Sequence, residues 1–193
     1  MRFRRAFPVV RSVFGLLAAL FAPTLAAAPQ LELPPALESS RLITNEELLA
    51  SAQKLLPRGA FLGPLLDARY AVIKHDWLVK RFIPSYRRAV ASLQAELKHA
   101  GDESADCDDF GMFLRHMAAL SGMLAGGAQP SAAQVIVFQE NSFSGVGRTR
   151  ERHAVGLFLT ERGWQVLEPQ NADKLVPLES YVNRTGIQYI SFH

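Results

Sequence analysis

The single cysteine, Cys107, is the residue of this chain best suited to covalent chemistry. It follows Asp106 and opens a run in which apolar residues recur with the spacing of one helix face: Phe110, Phe113, Leu114, Met117, Leu120 and Leu124. A thiol in the first turn of a helix lies near free backbone N–H groups and the positive end of the dipole, which favour the reactive thiolate. A buried, unreactive cysteine is the more common alternative.

A thiol nucleophile needs a base within hydrogen-bond reach and a third group that orients the base. His153 is the candidate base because it opens an apolar strand after a polar loop, and Glu168 is the candidate acid one hairpin later. A turn of two or four residues would pair Leu159 with Trp164. Glu168 would then lie diagonal to His153 on the same side of the sheet, whereas a three-residue loop with a bulge would put it on the other face. Alternatively, Glu168 simply ends an edge strand in solvent.

Three further side chains are candidates for orienting the base or for binding an oxyanion: Gln170, Tyr70 and Trp77. Gln170 would lie opposite His153 in the same hairpin and could orient it in place of the acid. The backbone N–H of Cys107 is a separate candidate for the first oxyanion donor.

Acidic residues surround the cysteine. Asp106, Asp108 and Asp109 place negative charge beside the thiol, which opposes the thiolate. We favour the alternative that Asp108 and Asp109 point to solvent and satisfy N–H groups of the first helical turn. Asp108, Asp109 and Arg152 are also the candidates for contacting a substrate.

The loop before His153 contains Arg148, Arg150 and Arg152 together with glycines. It is either a lid that meets an acidic substrate or a solvated surface loop.

Residues 1–28 are typical of a secretory signal, with an arginine-rich start, an apolar stretch over Val13–Leu25 and small residues at its end. The alternative, a membrane anchor, needs about 20 residues, and this stretch is interrupted by Gly15 and Pro23. We therefore expect an exported chain, periplasmic or extracellular, with no membrane span in its mature part.

Removal of that segment takes away four arginines and no acid, so the formal charge changes from +3 to −1. Nucleic acid is not expected as a partner, because no general basic field is left. One cysteine cannot form an internal disulfide, and an exposed idle thiol is prone to oxidation outside the cell, which favours a use for Cys107. Neither a glycine-rich phosphate loop nor zinc-type Cys/His spacing is present, so no cofactor or metal is expected.

We expect an extended or disordered proline-rich segment over residues 29–41 and one domain over residues 42–193. Helices are predicted over residues 44–56, 85–101 and 107–126, the first with a capping box formed by Thr44 and Glu47. Strands are predicted over residues 67–73, 134–138, 153–159, 164–168 and 187–192. This order predicts an α+β fold, with N-terminal helices, including the one that bears Cys107, packed on a C-terminal antiparallel sheet.

Three segments carry a resemblance to a known family: Asp106-Cys107-Asp108-Asp109-Phe110, His153-Ala154-Val155 and Gly163-Trp164-Gln165-Val166-Leu167-Glu168-Pro169-Gln170. Together they resemble the transglutaminase-like and papain-like cysteine peptidase superfamily. The resemblance implies a thiolate that attacks an amide or acyl carbonyl, with Cys107 as nucleophile, His153 as base and Glu168 as acid. Many relatives have Asp or Asn in the third place. The glutamine that serves the oxyanion in papain-type enzymes has no counterpart shortly before Cys107.

The expected function is that of a secreted cysteine hydrolase, a peptidase or amidase that acts on a protein or peptide through a thioester intermediate. Acyl transfer that joins amines to glutamine side chains is an alternative use of the same residues. An inactive binding or structural module of the same fold is another. A metal site built from Cys107, His153 and Glu168 is a further alternative, since these side chains can bind zinc, but the resemblance argues against it. The oligomeric state is not predicted.

Overall fold

The computed structural model describes residues 32–100, 105–146 and 150–192, which belong to the compact unit Leu31–His193. The signal segment expected at residues 1–28 lies outside the described residues. Within the described ranges, no helix is long and apolar enough to cross a membrane.

Eight strands form one mixed sheet: β1 Ser39–Thr44, β2 Phe61–Leu62, β3 Arg69–Ile73, β4 Ala132–Gln139, β5 Glu151–Thr160, β6 Gly163–Leu167, β7 Leu175–Pro177 and β8 Ile187–Ser191. Their order is β1-β3-β5-β4-β8-β2, and β6 pairs with β5 and with β7. Two pairs are parallel, β3 with β5 and β2 with β8, and the others are antiparallel.

The helices are α1 Asn45–Leu55, α2 His75–Trp77, α3 Ile83–Ala100 and α4 Cys107–Leu124, and a π-helical segment, Leu78–Phe82, joins α2 to α3. Short 3₁₀ turns cover Leu178–Ser180 and Arg184–Gly186. The predicted capping box at α1 is confirmed, because Thr44 and Glu47 exchange side-chain and backbone hydrogen bonds. The helix predicted to start at residue 85 instead continues from α2 through the π-helical segment, and Ser85 is a buried residue inside α3.

The α+β class is confirmed, but the sheet is not wholly antiparallel and is not confined to the C-terminal part. Strand β1 lies at one edge, paired with β3, which is parallel to β5. In β1 only Ile43 is buried, so this strand does not need the alternation of apolar and polar residues by which a strand is recognised in a sequence. Strand β2 has two residues, too few for any periodic pattern.

The sheet is covered on both faces. Alternate residues of β5 face opposite ways, with Val155 and Leu157 in one apolar cluster and Phe158 in another. The first cluster includes Leu48 of α1. The second includes residues of α3 and α4, namely Tyr86, Ala89, Val90, Phe110, Leu114, Met117 and Ala118. Helices α3 and α4 therefore cover the face opposite α1.

The segment before β1 has no regular secondary structure but makes specific contacts. Leu37 is buried, the Trp77 indole N–H donates to the Ala36 carbonyl at 2.9 Å, and Arg88 pairs with Glu32. This segment, expected to be extended or disordered, is therefore part of the packed structure from residue 32 onward.

Candidate active site

Helix α4 begins at the cysteine. Its N-cap is Asp106, whose carboxylate accepts the Asp108 N–H at 3.2 Å, while the Asp109 carboxylate accepts the Asp106 N–H at 3.2 Å. This capping box fixes the helix start. Cys107 is thus the first helical residue, and its side chain is half-buried.

Two glycines let α4 lie close to the sheet. A Cβ on Gly156 of β5 would be 2.2 Å from Leu114 Cδ2, and a Cβ on Gly111 would be 3.3 Å from Ala154 Cβ. From Gly111 to Leu114, α4 therefore passes over β5 in the direction from Ala154 to Gly156. Cys107 precedes Gly111 by one helical turn, so it lies near the start of β5. Gln134 of β4 secures this turn, since its Nε2 donates to the Asp108 carbonyl at 2.9 Å.

The β5–β6 hairpin brings the other two predicted residues together. Thr160 pairs with Gly163 and Leu159 with Trp164, so the loop has two residues and no bulge. The predicted pairing of Leu159 is confirmed, and the three-residue alternative is wrong. Glu168 Oε2 lies 2.9 Å from His153 Nε2.

Glu168 is held from several sides and is fully buried, at 0% exposed, so the alternative that it ends an edge strand in solvent is wrong. Its second oxygen, Oε1, accepts the backbone N–H of Gln170 at 3.2 Å. Its own N–H donates to the Lys174 carbonyl. Gln170 does not take the place of Glu168 in orienting the base, because the Glu168 carboxylate already binds His153 Nε2. Gln170 instead binds Glu168 through its backbone N–H.

His153 lies between the thiol and the carboxylate. Burial opposes its positive charge, but hydrogen bonds to Cys107 and Glu168, together with the negative charge of both groups, outweigh burial and raise its pKa to about 9. Since Glu168 occupies Nε2, the ring nitrogen left for Cys107 is Nδ1. At neutral pH the ring is therefore an imidazolium that donates to the carboxylate on one side and faces the sulfur on the other.

The aspartates interact mainly with each other and with the helix start. A hydrogen bond between the Asp106 and Asp108 carboxyl groups lowers the pKa of Asp106 and raises that of Asp108. The carboxylate that accepts an N–H of the first turn is that of Asp106, not that of Asp108. The Asp109 carboxylate accepts the N–H of the N-cap residue, Asp106. Asp108 and Asp109 are exposed, as expected.

The two aromatic oxyanion candidates are wrong. Tyr70 is fully buried on β3, where its hydroxyl accepts the Asp67 N–H at 3.3 Å and its ring packs edge-on against Phe192. Trp77 donates its only N–H to the Ala36 carbonyl. Tyr70 is out of reach of a substrate at Cys107 because it is fully buried, and the only N–H of the Trp77 side chain is already bound.

The candidates for substrate contact lie on the surface around this site. Asp108 and Asp109 are exposed on α4, and Arg152 is exposed on β5, paired across the sheet with Phe138. Arg150 is also exposed, whereas Arg148 lies outside the described residues. Their role in binding stays a prediction.

A different set of residues has metal-type ligand atoms close together. Among the described residues, the ligand atoms of Asp106, Cys107 and Asp108 lie within 4.8 Å of one another at the exposed helix start. The metal alternative built on Cys107, His153 and Glu168 has a different geometry, because His153 Nε2 and Glu168 Oε2 bind each other directly.

The sequence interpretation missed the residues that position the site. Gly111 and Gly156 were detectable, since an isolated glycine inside a helix or strand often marks a close approach. Gln134 and Tyr86 carry no such signal. The Tyr86 hydroxyl lies 2.7 Å from the Pro169 carbonyl and 3.1 Å from the Phe110 carbonyl, contacts that depend on three distant parts of the chain.

No family model matches this chain, and no curated protein is significantly similar to it.

Proposed function

We propose that this protein is an exported cysteine hydrolase, a peptidase or amidase, with Cys107 as nucleophile, His153 as acid and base, and Glu168 as the group that orients His153. The observation that carries the proposal is the buried His153 ring, which binds a fully buried carboxylate and lies next to a half-buried thiol. The nucleophile is within reach of solvent, whereas the base and its acid are shielded. This combination favours a reactive thiol over an inert core cysteine.

In the first step the Cys107 thiolate attacks the carbonyl carbon of an amide, and the carbonyl oxygen becomes an oxyanion. The Cys107 N–H can donate to that oxygen, because the first N–H of an α-helix has no acceptor within the helix. The His153 imidazolium then gives a proton to the leaving nitrogen as the C–N bond breaks. The products of this step are an amine and a thioester on Cys107.

In the second step neutral His153 takes a proton from water, which attacks the thioester carbonyl. The C–S bond breaks, the carboxylic acid leaves and the sulfur departs as thiolate beside the reprotonated imidazole. Glu168 stabilises the imidazolium and fixes the ring through the Nε2 hydrogen bond.

The test is the pH dependence of Cys107 alkylation by iodoacetamide. We expect the rate to be nearly constant between about pH 6 and pH 8, whereas the rate for an ordinary thiol changes about tenfold per pH unit in this range. His153→Ala should lower the rate at pH 6 by at least about tenfold. His116→Ala, an exposed histidine on the same helix, is the matched control and should leave the rate unchanged.

If the alkylation rate has the pH dependence of an ordinary thiol and does not change in His153→Ala, the proposal is contradicted and a binding module is favoured.

Turnover is tested with an activated ester such as 4-nitrophenyl acetate. Mass spectrometry should find the acyl group on Cys107, and product analysis with an added amine separates hydrolysis from acyl transfer.

A further inference from the structure

Helix α3 holds the turn that carries the catalytic acid. The Tyr86 hydroxyl lies 2.7 Å from the Pro169 carbonyl, and the Arg87 Nε and Nη2 groups donate to the Ala172 carbonyl at 2.9 and 2.6 Å. Gln94, two turns further along, donates to the Gln170 carbonyl at 3.1 Å. Three side chains of one helix therefore bind three carbonyl groups of the five residues that begin with Glu168.

The turn needs this support. Ala172 has a φ of 50°, a left-handed conformation that is unfavourable for alanine, and its N–H closes the turn on the Glu168 carbonyl at 2.9 Å. The same turn supplies the Gln170 N–H that binds Glu168 Oε1. The position of the carboxylate is thus set by the turn, and the turn is held by α3.

Tyr86 also contacts the helix of the nucleophile. Its hydroxyl is 3.1 Å from the carbonyl of Phe110, three residues after Cys107. One side chain therefore bridges the first turn of α4 and the residue that follows Glu168. The Tyr86 ring is buried and packs against Phe82 and Phe113, so its position does not depend on the hydroxyl.

We propose that Tyr86 is a positioning residue that, with support from Arg87, sets the distance between the Glu168 turn and the Cys107 helix and so keeps His153 aligned with both. This inference rests on the proposed function. The titratable groups next to His153 are Cys107 from α4 and Glu168 after β6. Tyr86 itself stays a neutral donor, because burial and the charge of Glu168 raise its pKa.

The test compares alkylation of Cys107 at about pH 6 and pH 9 in Tyr86→Phe and in the unaltered protein. The phenylalanine keeps the ring packing and removes only the oxygen. We expect the rate at pH 6 to fall about tenfold and the rate at pH 9 to change little, since a small misplacement of catalytic groups has large effects. Arg88→Gln, whose guanidinium pairs with exposed Glu32 on another side of α3, is the control and should match the unaltered protein.

A double-mutant cycle separates positioning from general weakening of the fold. If Tyr86 acts through Glu168, Tyr86→Phe should have no further effect on the pH 6 rate in a Glu168→Gln background. Additive effects, or an unchanged rate in Tyr86→Phe, would overturn this inference. If Tyr86→Phe folds poorly, Arg87→Met is the second variant. We expect it to lower the alkylation rate at pH 6 by a smaller factor, and an unchanged rate would count against the inference.

If His153→Ala and Glu168→Gln also leave the alkylation rate unchanged, the proposed function itself fails.

Discussion

At the scale of single residues, Glu168 is the residue on which the proposed chemistry depends. Each of its oxygens has one partner, His153 through Oε2 and the Gln170 N–H through Oε1. A buried carboxylate is stable only when its charge is compensated and its oxygens are hydrogen-bonded. The His153 imidazolium supplies that charge, so acid and base stabilise each other.

The raised pKa of His153 predicts how stability depends on pH. Folding raises this pKa from 6.5 to about 9, so the folded state binds the proton more tightly. The resulting stabilisation, on the order of 3 kcal/mol, is fully present below about pH 6.5 and is lost as pH rises towards 9. Urea unfolding should show that the difference in unfolding free energy between the unaltered protein and His153→Gln shrinks from pH 6 to pH 9.5.

His116→Gln serves as the comparison for that measurement. Burial and the nearby Arg115 charge lower the pKa of His116, so its effect on stability between pH 6.5 and 9 should be small and of opposite sign. A His153→Gln difference that stays constant over the range would show that folding does not shift the proton affinity of His153.

At the scale of secondary structure, helix α4 does two things at its N-terminus. It presents Cys107 near the helix dipole, and it gathers Asp106, Asp108 and Asp109 around the thiol. The carboxylates of Asp106 and Asp109 form the capping box, so they stabilise the helix start while their charge opposes the thiolate. The Asp106 charge is therefore unfavourable for the reactivity of Cys107, although the Asp106 side chain is favourable for the stability of α4.

Two substitutions of Asp106 separate these effects. Asp106→Asn keeps a side-chain oxygen for the cap and removes the charge, so we expect nearly unchanged stability and a Cys107 alkylation rate that stays on its plateau down to a lower pH than in the unaltered protein. Asp106→Ala also removes the cap and should lower the unfolding free energy by about 1 kcal/mol. A plateau that begins at the same or a higher pH in Asp106→Asn would show that the Asp106 charge does not oppose the thiolate.

At the scale of the whole molecule, the site depends on parts of the chain far apart in sequence. Strands β1 and β3 complete the sheet beside β5, and α3 and α4 cover one face of it. Leu37, before β1, packs into the same cluster as Phe110 and Leu114 of α4. The described part of the proline-rich segment, from residue 32 onward, therefore contributes to the core that supports the nucleophile helix.

Leu37→Ala tests this contribution. Leu37 is only 8% exposed, and truncation of a buried leucine leaves a cavity that costs about 2 kcal/mol or more. Leu33→Ala, at 62% exposed, is the matched control and should change stability by less than about 0.5 kcal/mol. Equal urea midpoints for the two variants would show that the segment does not contribute to the core.

Local patterns in the sequence were enough to predict the capping box of α1 and the start of α4, and they included the pairing of Leu159 with Trp164 as one of two possible registers. Each depends on residues within a few positions of one another, where spacing and backbone hydrogen bonding determine the geometry. From that hairpin the approach of His153 to Glu168 was allowed, but a one-residue change in the loop would have separated them.

The tertiary structure alone decided the mixed sheet and the surroundings of the site. Strand β1 has a single buried residue, and its pairing with β3 rests on backbone groups that every sequence possesses. Tyr70 and Trp77 were plausible oxyanion donors until the complete burial of Tyr70 and the bond of Trp77 to the Ala36 carbonyl were known. The contact of Tyr86 with Pro169 joins residues 83 positions apart, and such contacts leave no local pattern because they arise only when separate elements pack together.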